Sequence, residues 1–287
     1  MRPTNNFAQD VLLEVWKARF KGEGFSEALY EWYLEKGKAA EMLNCGQNEA
    51  ALSRFLEADA KNRELKWILC ANNGQYREAA EILLQLANEE TRLLSRKKSL
   101  LSLAKLQALC CDEEDDLLVQ NVEDLLEIID HQLRLDGETL GRIGFTRETQ
   151  PPLAVADVVE LTVECPKATE WDMVRALELS LKSNSRDFQQ IVPEIWAAAI
   201  LRDDWGEIRD EGAMSTTLFY KTVTALTQCD FELEALENLL PLPERVLRCL
   251  PRKSGRDHPK LERWLKAGRE ILLRPKIAAD VTMDEDD

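Results

Sequence analysis

Histidine is nearly absent from this chain of 287 residues, which contains only His131 and His258. General acid–base catalysis most often uses histidine, and these two fall in a long amphipathic stretch and beside a proline, where packed or solvated roles are typical. Gly137, Gly141 and Gly144 form a glycine array, but no Gly-Lys-Ser/Thr follows it and no strand precedes it, so a phosphate-binding loop is excluded. The sequence therefore predicts a protein that is not an enzyme and binds no cofactor.

The chain also has no C-x-x-C pair, the usual start of a zinc site or redox motif. Its seven cysteines are odd in number and mostly lie among apolar neighbours, which indicates reduced thiols in a cytosolic or nuclear compartment. The acidic runs at 112–116 and 203–204 lack the alternating oxygens, central glycine and distal glutamate of a calcium loop. We therefore expect neither a metal site nor a disulfide framework.

Long apolar runs and excess positive charge are missing as well. No segment approaches the roughly 20 apolar residues that a membrane span needs, and the first ten residues lack the apolar core of a secretory signal. Lysine and arginine number 37 against 53 acidic residues, which gives a formal charge of −16 and argues against direct nucleic-acid binding. We expect a soluble intracellular protein without direct contact to nucleic acid or membrane.

Stretches that alternate apolar and polar residues are scarce, so no sheet is predicted. Instead, apolar residues recur at helical spacing along most of the chain, for example over 7–20, 62–72 and 117–133. Two segments, beginning at Gly46 and Gly74, share a glycine turn followed by a helix with paired alanines, which permit close helix packing. This pattern favours an all-α fold, an irregular α-helical stack (α-solenoid) in two blocks.

One internal stretch interrupts the helical pattern. Residues 137–152 contain three glycines and end in two prolines, which is typical of a boundary or a long loop. We therefore predict an amino-terminal helical block over 1–136, a linker loop over 137–153 and a carboxy-terminal helical block over 154–275. The acidic end, 276–287, is expected to be disordered.

The most informative stretch covers residues 83–111. Leu93, Leu100, Leu103 and Leu106 form one apolar stripe of a helix, and a second stripe begins at Leu94 and continues through Leu101, Ala104 and Ala108. Two such stripes predict a helix that is buried over most of its surface. A remaining basic strip, formed by Arg92, Arg96, Lys97 and Lys98, must face water or an acidic surface.

These residues also carry a resemblance. The run LANEETRLLSRKKSLLSLAKLQAL resembles the carboxy-terminal helical domain of the nucleoporin 133 family, in which a leucine-alanine stretch leads through glutamate and threonine into a basic triplet and a leucine-rich helix. A second patch over 171–205, with WDMVRALELSLK and EIWAAAILRDDW, is similar to a helix pair near the end of that family's domain.

The resemblance implies a structural scaffold subunit of the Y-shaped complex of the nuclear pore. The partner it implies is a helical scaffold nucleoporin of the nucleoporin 107 family, the nucleoporin 84 family in yeasts, bound tail to tail. The implied location is the nucleus, at the pore in the nuclear envelope, where the protein supports pore assembly and nucleocytoplasmic transport. Members also carry an amino-terminal β-propeller with a membrane-curvature motif; this chain would then be a carboxy-terminal portion, without membrane contact.

The basic strip allows two interpretations. Neighbouring acidic residues, Glu89, Glu90 and the run 112–116, could neutralise it within the chain. Alternatively, Leu93 and Leu94 form the exposed start of an otherwise buried helix, and charged residues around them complete a partner surface with an apolar centre and a polar rim. The predicted partner-binding residues are Glu89, Arg92, Leu93, Leu94, Arg96, Lys97 and Leu100.

Two other classes of binding protein remain open on the sequence. The glycine and alanine pairs at Gly46 and Gly74 also suit a tetratricopeptide-like adaptor, which would bind short peptides in a groove. A vesicle-coat solenoid that binds coat partners has the same composition and helix content. Each of the seven tryptophans falls in or beside a predicted helix, where core packing is the default role and an interface anchor the exception.

Overall fold

The computed structural model describes residues 23–44, 49–111, 116–183, 185–203, 205, 214–240, 242–251 and 258–283. This part of the chain is all-α and contains no strand, which confirms the predicted fold class. The described residues form fifteen successive helices: α1 Glu23–Glu35, α2 Ala39–Leu43, α3 Glu49–Ala58, α4 Ala60–Asn72, α5 Tyr76–Glu89, α6 Leu94–Leu109, α7 Asp116–Leu133, α8 Gly137–Arg142, α9 Val155–Glu164, α10 Glu170–Ser180, α11 Ser185–Leu201, α12 Leu218–Thr227, α13 Leu233–Leu239, α14 Pro243–Cys249 and α15 His258–Met283.

The chain divides into two compact units. Unit 1 comprises Met1–Thr91 and Ser95–Glu123, and unit 2 comprises Arg92–Leu94 and Asp124–Asp287. The division within α7 differs from the predicted boundary over 137–153. Residues of that predicted linker are packed instead: Leu140 on α8 is fully buried and forms a small apolar cluster with Leu135, Leu161 and the partly buried Leu153.

In unit 1 successive helices pack on one another: α3 packs on α1, α4 on α3 and α5 on α4. The core of this unit contains the buried Tyr30, Met42 and Leu56, and the ring centroids of Tyr30 and Phe55 are 5.4 Å apart. The turn predicted at Gly74 is present, because this glycine has a φ of 75° that other residues rarely adopt. The alanine pair that follows it on α5 is fully buried.

Some predictions for this unit lie outside the described residues. They concern the helix over 7–20, the turn at Gly46 and the acidic run at 112–115, although the helix expected after that run does begin, at Asp116.

Unit 2 is built around an aromatic cluster. Trp196 on α11 is buried, its ring lies 5.4 Å from that of Phe219 on α12, and its indole Nε1 donates a hydrogen bond to the carbonyl of Leu239, 2.9 Å away. The Trp205 ring lies 6.2 Å from that of Phe219, and its indole Nε1 donates a hydrogen bond to the carbonyl of Ile200. Three helices and the turn after α11 are thereby held around one ring.

Charged residues in the second family-like patch serve the same packing. The Arg202 guanidinium donates to the carbonyls of Val163, Cys165 and Ala168, which lie at and beyond the end of α9. Asp203 accepts the amides of Leu218 and Phe219 at the start of α12, where the helix dipole favours a carboxylate. Burial nevertheless raises the pKa of Asp203. Of the acidic pair 203–204, Asp203 therefore binds the first amides of a helix.

The segment after α8 is fixed by a buried amide. The Gln132 side chain donates from Nε2 to Gln150 Oε1 and to the Pro151 carbonyl, and it accepts the amide of Leu153. The Gln150 carbonyl in turn accepts the amide of Leu94. One glutamine therefore satisfies three polar groups of a loop that carries no regular structure.

The last helix, α15, extends to Met283 and so into the segment 276–287 for which a disordered tail is predicted; residues 284–287 lie outside the described residues. A helix can continue here because the segment 276–283 still contains apolar and helix-compatible residues before the acidic end.

Gly268 on α15 lies against Phe219: a Cβ built at this glycine would be 2.9 Å from the ring.

Candidate partner-binding surface

Helix α6 buries one of the two stripes recognised in the sequence. Leu94, Leu101, Ala104 and Ala108 are at most 4% exposed, and two of the four are alanines, which let neighbouring elements approach closely. This stripe follows the spacing i, i+7, i+10, i+14, as expected for one face of a helix. The prediction of a core helix is therefore correct for this face.

The other stripe is not buried, which corrects the expectation of a helix covered on most of its girth. Leu106 is 58% exposed and Leu93, before the helix, is 42% exposed, while Leu100 and Leu103 are half-buried. Leu109, at the end of α6, is 61% exposed, and Leu117 near the start of α7 is exposed as well. We call Leu103, Leu106 and Leu109 the outer face of α6.

Leu94 does not form the exposed start of the helix that the sequence suggested. Its side chain is 2% exposed, and its amide donates to the Gln150 carbonyl at 3.0 Å. A partner cannot contact a side chain that is already enclosed. Periodicity could not separate Leu93 from Leu94, because both positions lie on apolar stripes.

The charged residues of the predicted surface have partners within unit 1. Arg96 lies 2.5 Å from Glu64 and 3.3 Å from Glu90, and Glu89 lies 3.8 Å from Arg63. Arg96 is thus neutralised within the chain. Glu90 is one of the acidic neighbours that the sequence suggested, whereas Glu64 is distant in the sequence. Arg92 remains exposed at the surface of unit 2.

Lys97 differs from the exposed basic residues because it is half-buried. Burial lowers its pKa, and the Glu90 carboxylate opposes that shift. Further along the helix, Lys105 pairs with Glu123 of α7 at 2.8 Å. The outer face of α6 is therefore apolar at its centre, with paired charges around it.

Sequence reasoning missed Leu109 and Leu117, and it placed Leu106 in the core. The sequence did contain a signal for exposed leucines on α6. This helix carries leucines on opposite sides, so packing against one neighbouring layer cannot bury all of them. Trp171, the first residue after Glu170 on α10, is also exposed, and among the tryptophans in the described residues its exposure best suits an interface.

A cluster that the sequence did not predict lies in unit 2. Donor atoms of Glu127 and His131 on α7 and of Glu178 on α10 lie within 4.8 Å of one another. Their residue types suit a divalent cation, but Lys182 already lies 3.3 Å from Glu127 and 2.5 Å from Asp124. The positive charge that these carboxylates require is thus supplied by a side chain.

Burial in this cluster shifts two ionisable groups. It lowers the pKa of His131 below its ordinary 6.5, with Glu127 opposing the shift, and it raises the pKa of Glu178, an effect that the nearby Glu127 charge strengthens. His131 is therefore neutral in the folded protein at neutral pH, although a carboxylate is 3.9 Å away.

This shift predicts a pH dependence of stability. As the pH falls through 6.5, the unfolded chain takes up a proton at position 131 before the folded chain does, so the free energy of unfolding decreases below that pH. His131→Gln removes this contribution. We expect urea titrations at about pH 7.5 and about pH 5.5 to show a smaller loss in the variant than in the unaltered protein. An equal loss in both would contradict the assignment.

No helix in the described part of the chain has the length and apolar character needed to cross a membrane.

Comparison with known proteins points to the same family as the sequence resemblance. Residues 8–148 match the family described as non-repetitive/WGA-negative nucleoporin C-terminal. The human nuclear pore complex protein Nup133 is 28% identical over 278 residues, which cover 92% of this chain and 24% of that protein. The mouse protein of the same name is 32% identical over 278 residues, with the same coverage. The chain thus spans about a quarter of the length of these relatives.

Among solved structures, the Chaetomium thermophilum Nup170 CTD–Nup145N complex aligns with a TM-score of 0.46 at 16% identity, covering 97% of this chain and 68% of that one. The sequence relationships carry the assignment, because they run over nearly the whole chain and include both family-like patches. The chain belongs to the nucleoporin 133 family, whose members are proteins of the nuclear pore complex, and corresponds to the carboxy-terminal helical part of that family.

Proposed function

We propose that this nucleoporin segment is a structural scaffold that binds another helical nucleoporin through the outer face of α6. The observation that carries the proposal is the exposure of Leu106 and Leu109 on a helix whose opposite side is fully packed. Large apolar side chains that lie close together at the surface of a folded protein are typical of interaction sites.

The energetics favour a helical partner over a short peptide. Burying apolar surface contributes about 25 cal/mol per Å², and a stable interface of standard size removes about 800 Å² from water on each partner. Three leucines on one helix supply only part of such an area. A folded partner that also covers the neighbouring start of α7, where Leu117 is exposed, meets this requirement better than an extended peptide does.

The partner that the family resemblance implies is the helical domain of a scaffold nucleoporin of the nucleoporin 107 family, the nucleoporin 84 family in yeasts. Binding through the outer face of α6 would join two subunits of the Y-shaped complex, and would thereby support pore assembly and nucleocytoplasmic transport. Of the predicted residues, Glu89 ends α5, Arg96, Lys97 and Leu100 lie in the first two turns of α6, before the outer face, and Arg92 and Leu93 precede the helix.

The double variant Leu106→Glu/Leu109→Glu tests the proposal. We expect it to lower the affinity for the partner's helical domain at least 100-fold, because two charges would have to be desolvated in the apolar centre of the interface. Size-exclusion chromatography of the mixed proteins, followed by calorimetry, measures the loss. Circular dichroism should remain helical, since both side chains are exposed before the change.

The matched control is Leu201→Glu/Leu242→Glu, which places the same charges at two leucines of similar exposure in unit 2. It should bind like the unaltered chain. Equal binding by both double variants would refute the placement on α6. Leu93→Glu, tested alone, shows whether the interface extends to the residues before the helix; reduced affinity is expected if it does.

A further inference from the structure

A groove in unit 2, away from α6, has the features of a second docking site. It lies between α9 and α11, which pack on each other, and has a volume of about 500 Å³. The following residues line it: Ala156, Val159, Glu160, Val163, Glu164, Asp187, Gln190, Ile191, Glu194, Ile195 and Ala198. None of them belongs to the outer face of α6.

The lining residues follow helical spacing on both walls. On α9 they recur at i, i+3, i+4, i+7 and i+8 from Ala156, and on α11 at i, i+3, i+4, i+7, i+8 and i+11 from Asp187. Two helices that present such rows side by side leave a depression into which the ridge of a third helix fits. At a rise of about 1.5 Å per residue, the row on α11 spans about 16 Å, or three helical turns.

The floor and the rim of the groove differ in character. Val159, Val163, Ile191 and Ile195 form an apolar floor, and all four are buried to more than nine-tenths. Ala156 at one end is exposed and Ala198 is half-buried, so short side chains keep the groove open for another backbone.

The rim carries charge of one sign. Glu160, Glu164, Asp187 and Glu194 are exposed, and none of the lining residues in the described part of the chain is basic. Glu164 pairs with Arg142 at 3.3 Å, outside the groove, and Glu194 accepts a hydrogen bond from Gln190 at 3.1 Å. The negative charges around the groove repel one another, and a ligand with positive charges on its flanks would relieve this repulsion.

The walls also limit the form of the ligand. Both are helices, whose backbone amides and carbonyls bond within the helix apart from the ends and the turn at Pro193 of α11. They therefore offer no continuous ladder of hydrogen bonds to an extended peptide. A ligand that buries its backbone here must satisfy its own polar groups, as a helix does.

From this geometry we propose that the groove between α9 and α11 binds a basic amphipathic helix of a partner protein, about three turns long, with small or apolar residues on one ridge and lysine or arginine on both flanks. The apolar floor fixes the ridge, and the four carboxylates select the positive flanks. Since little of the floor is accessible, the affinity should be modest and should depend on salt.

Fluorescence anisotropy with a labelled peptide of about 16 residues tests the proposal. The peptide has alanine and leucine on one face and lysine on both flanks; its control carries glutamate at the lysine positions. We expect the lysine peptide to bind with a Kd of about 10–100 μM and to weaken at least fivefold between about 50 and about 300 mM salt. The glutamate peptide should not bind. Absence of binding by the lysine peptide would overturn the proposal.

Variants then locate the site. Glu160→Lys/Glu194→Lys should lower the affinity at least tenfold, whereas Glu234→Lys/Glu237→Lys changes the net charge equally on the exposed surface of α13 and should leave it unchanged. Ala156→Trp alters no charge but fills the groove, and it should also abolish binding. Equal effects of the two charge variants, or unchanged binding by Ala156→Trp, would show that attraction to the acidic chain as a whole is responsible. None of these outcomes depends on the outer face of α6.

Discussion

Trp196→Ala is expected to lower the free energy of unfolding of unit 2 by about 3–5 kcal/mol, the usual cost of removing a large aromatic side chain from a core. Trp196 is 1% exposed and contacts the Phe219 ring, so its loss leaves a cavity in the centre of the aromatic cluster. The Leu239 carbonyl would also lose the hydrogen bond from the indole. Urea denaturation followed by near-ultraviolet circular dichroism measures the change.

A matched control comes from the same residue type on the surface. Trp171→Ala removes an equal side chain from a position that is 43% exposed, and we expect it to cost no more than about 1 kcal/mol. Similar losses for the two variants would mean that Trp196 is not the centre of the core. Trp196→Phe separates the two contributions, since it keeps most of the ring volume and removes only the hydrogen-bond donor.

The second large effect is expected at Gln132. Gln132→Leu replaces the amide by an apolar side chain of similar size. The side-chain oxygen of Gln150, the Pro151 carbonyl and the Leu153 amide then lose their hydrogen-bond partner. An unsatisfied buried polar group costs about 1–3 kcal/mol, so the free energy of unfolding should fall by about 3 kcal/mol or more. Gln132→Glu should be similarly harmful, because its carboxylate cannot donate to the two oxygens.

Hydrogen exchange provides a local readout of the Gln132 variants. The amide of Leu153, which donates to the side-chain oxygen of Gln132, should exchange faster in Gln132→Leu, and the amide of Leu94, which donates to the Gln150 carbonyl, should follow it. In Gln132→Glu a carboxylate oxygen can still accept the Leu153 amide, so that amide should be less affected. Gln189→Leu, at an exposed position of α11, is the control and should leave both amides unchanged. Unaltered exchange at Leu153 in Gln132→Leu would contradict the proposed role of the side chain.

Local patterns were sufficient to predict most of the helices, although not α8 or the last turns of α15. The turn at Gly74, the paired alanines after it and the helix after the acidic run all follow from spacing and from backbone preferences within a few residues. The all-α class is confirmed for the same reason. These features depend on neighbours in the sequence, which a single chain displays directly.

Which side of a helix is covered could not be predicted in the same way. Leu101 and Leu106 are both leucines on apolar stripes of α6, yet the first is fully buried and the second is largely exposed. The difference depends on elements distant in the sequence. The partner of Arg96 shows the same limit: Glu90 is close in the sequence and was considered, whereas Glu64, on α4, was not.

The stretch 137–153 was predicted as a linker because glycine and proline are frequent there. What holds it is a pair of glutamines, Gln132 and Gln150, whose side chains meet across 18 positions of sequence. Glutamine is common on exposed helix faces, so nothing in its local context distinguishes a buried, satisfied amide from a solvated one.

The contact between Gly268 and Phe219 limits how α15 can be seated. Phe219 already packs against the rings of Trp196 and Trp205, so the residue facing it on α15 must lack a Cβ. Sliding the helix by one position would bring Ala267 or Arg269 over the ring. The absence of a single carbon thus sets the register of the last helix, and an engineered substitution at position 268 would require a smaller side chain at position 219 to accompany it.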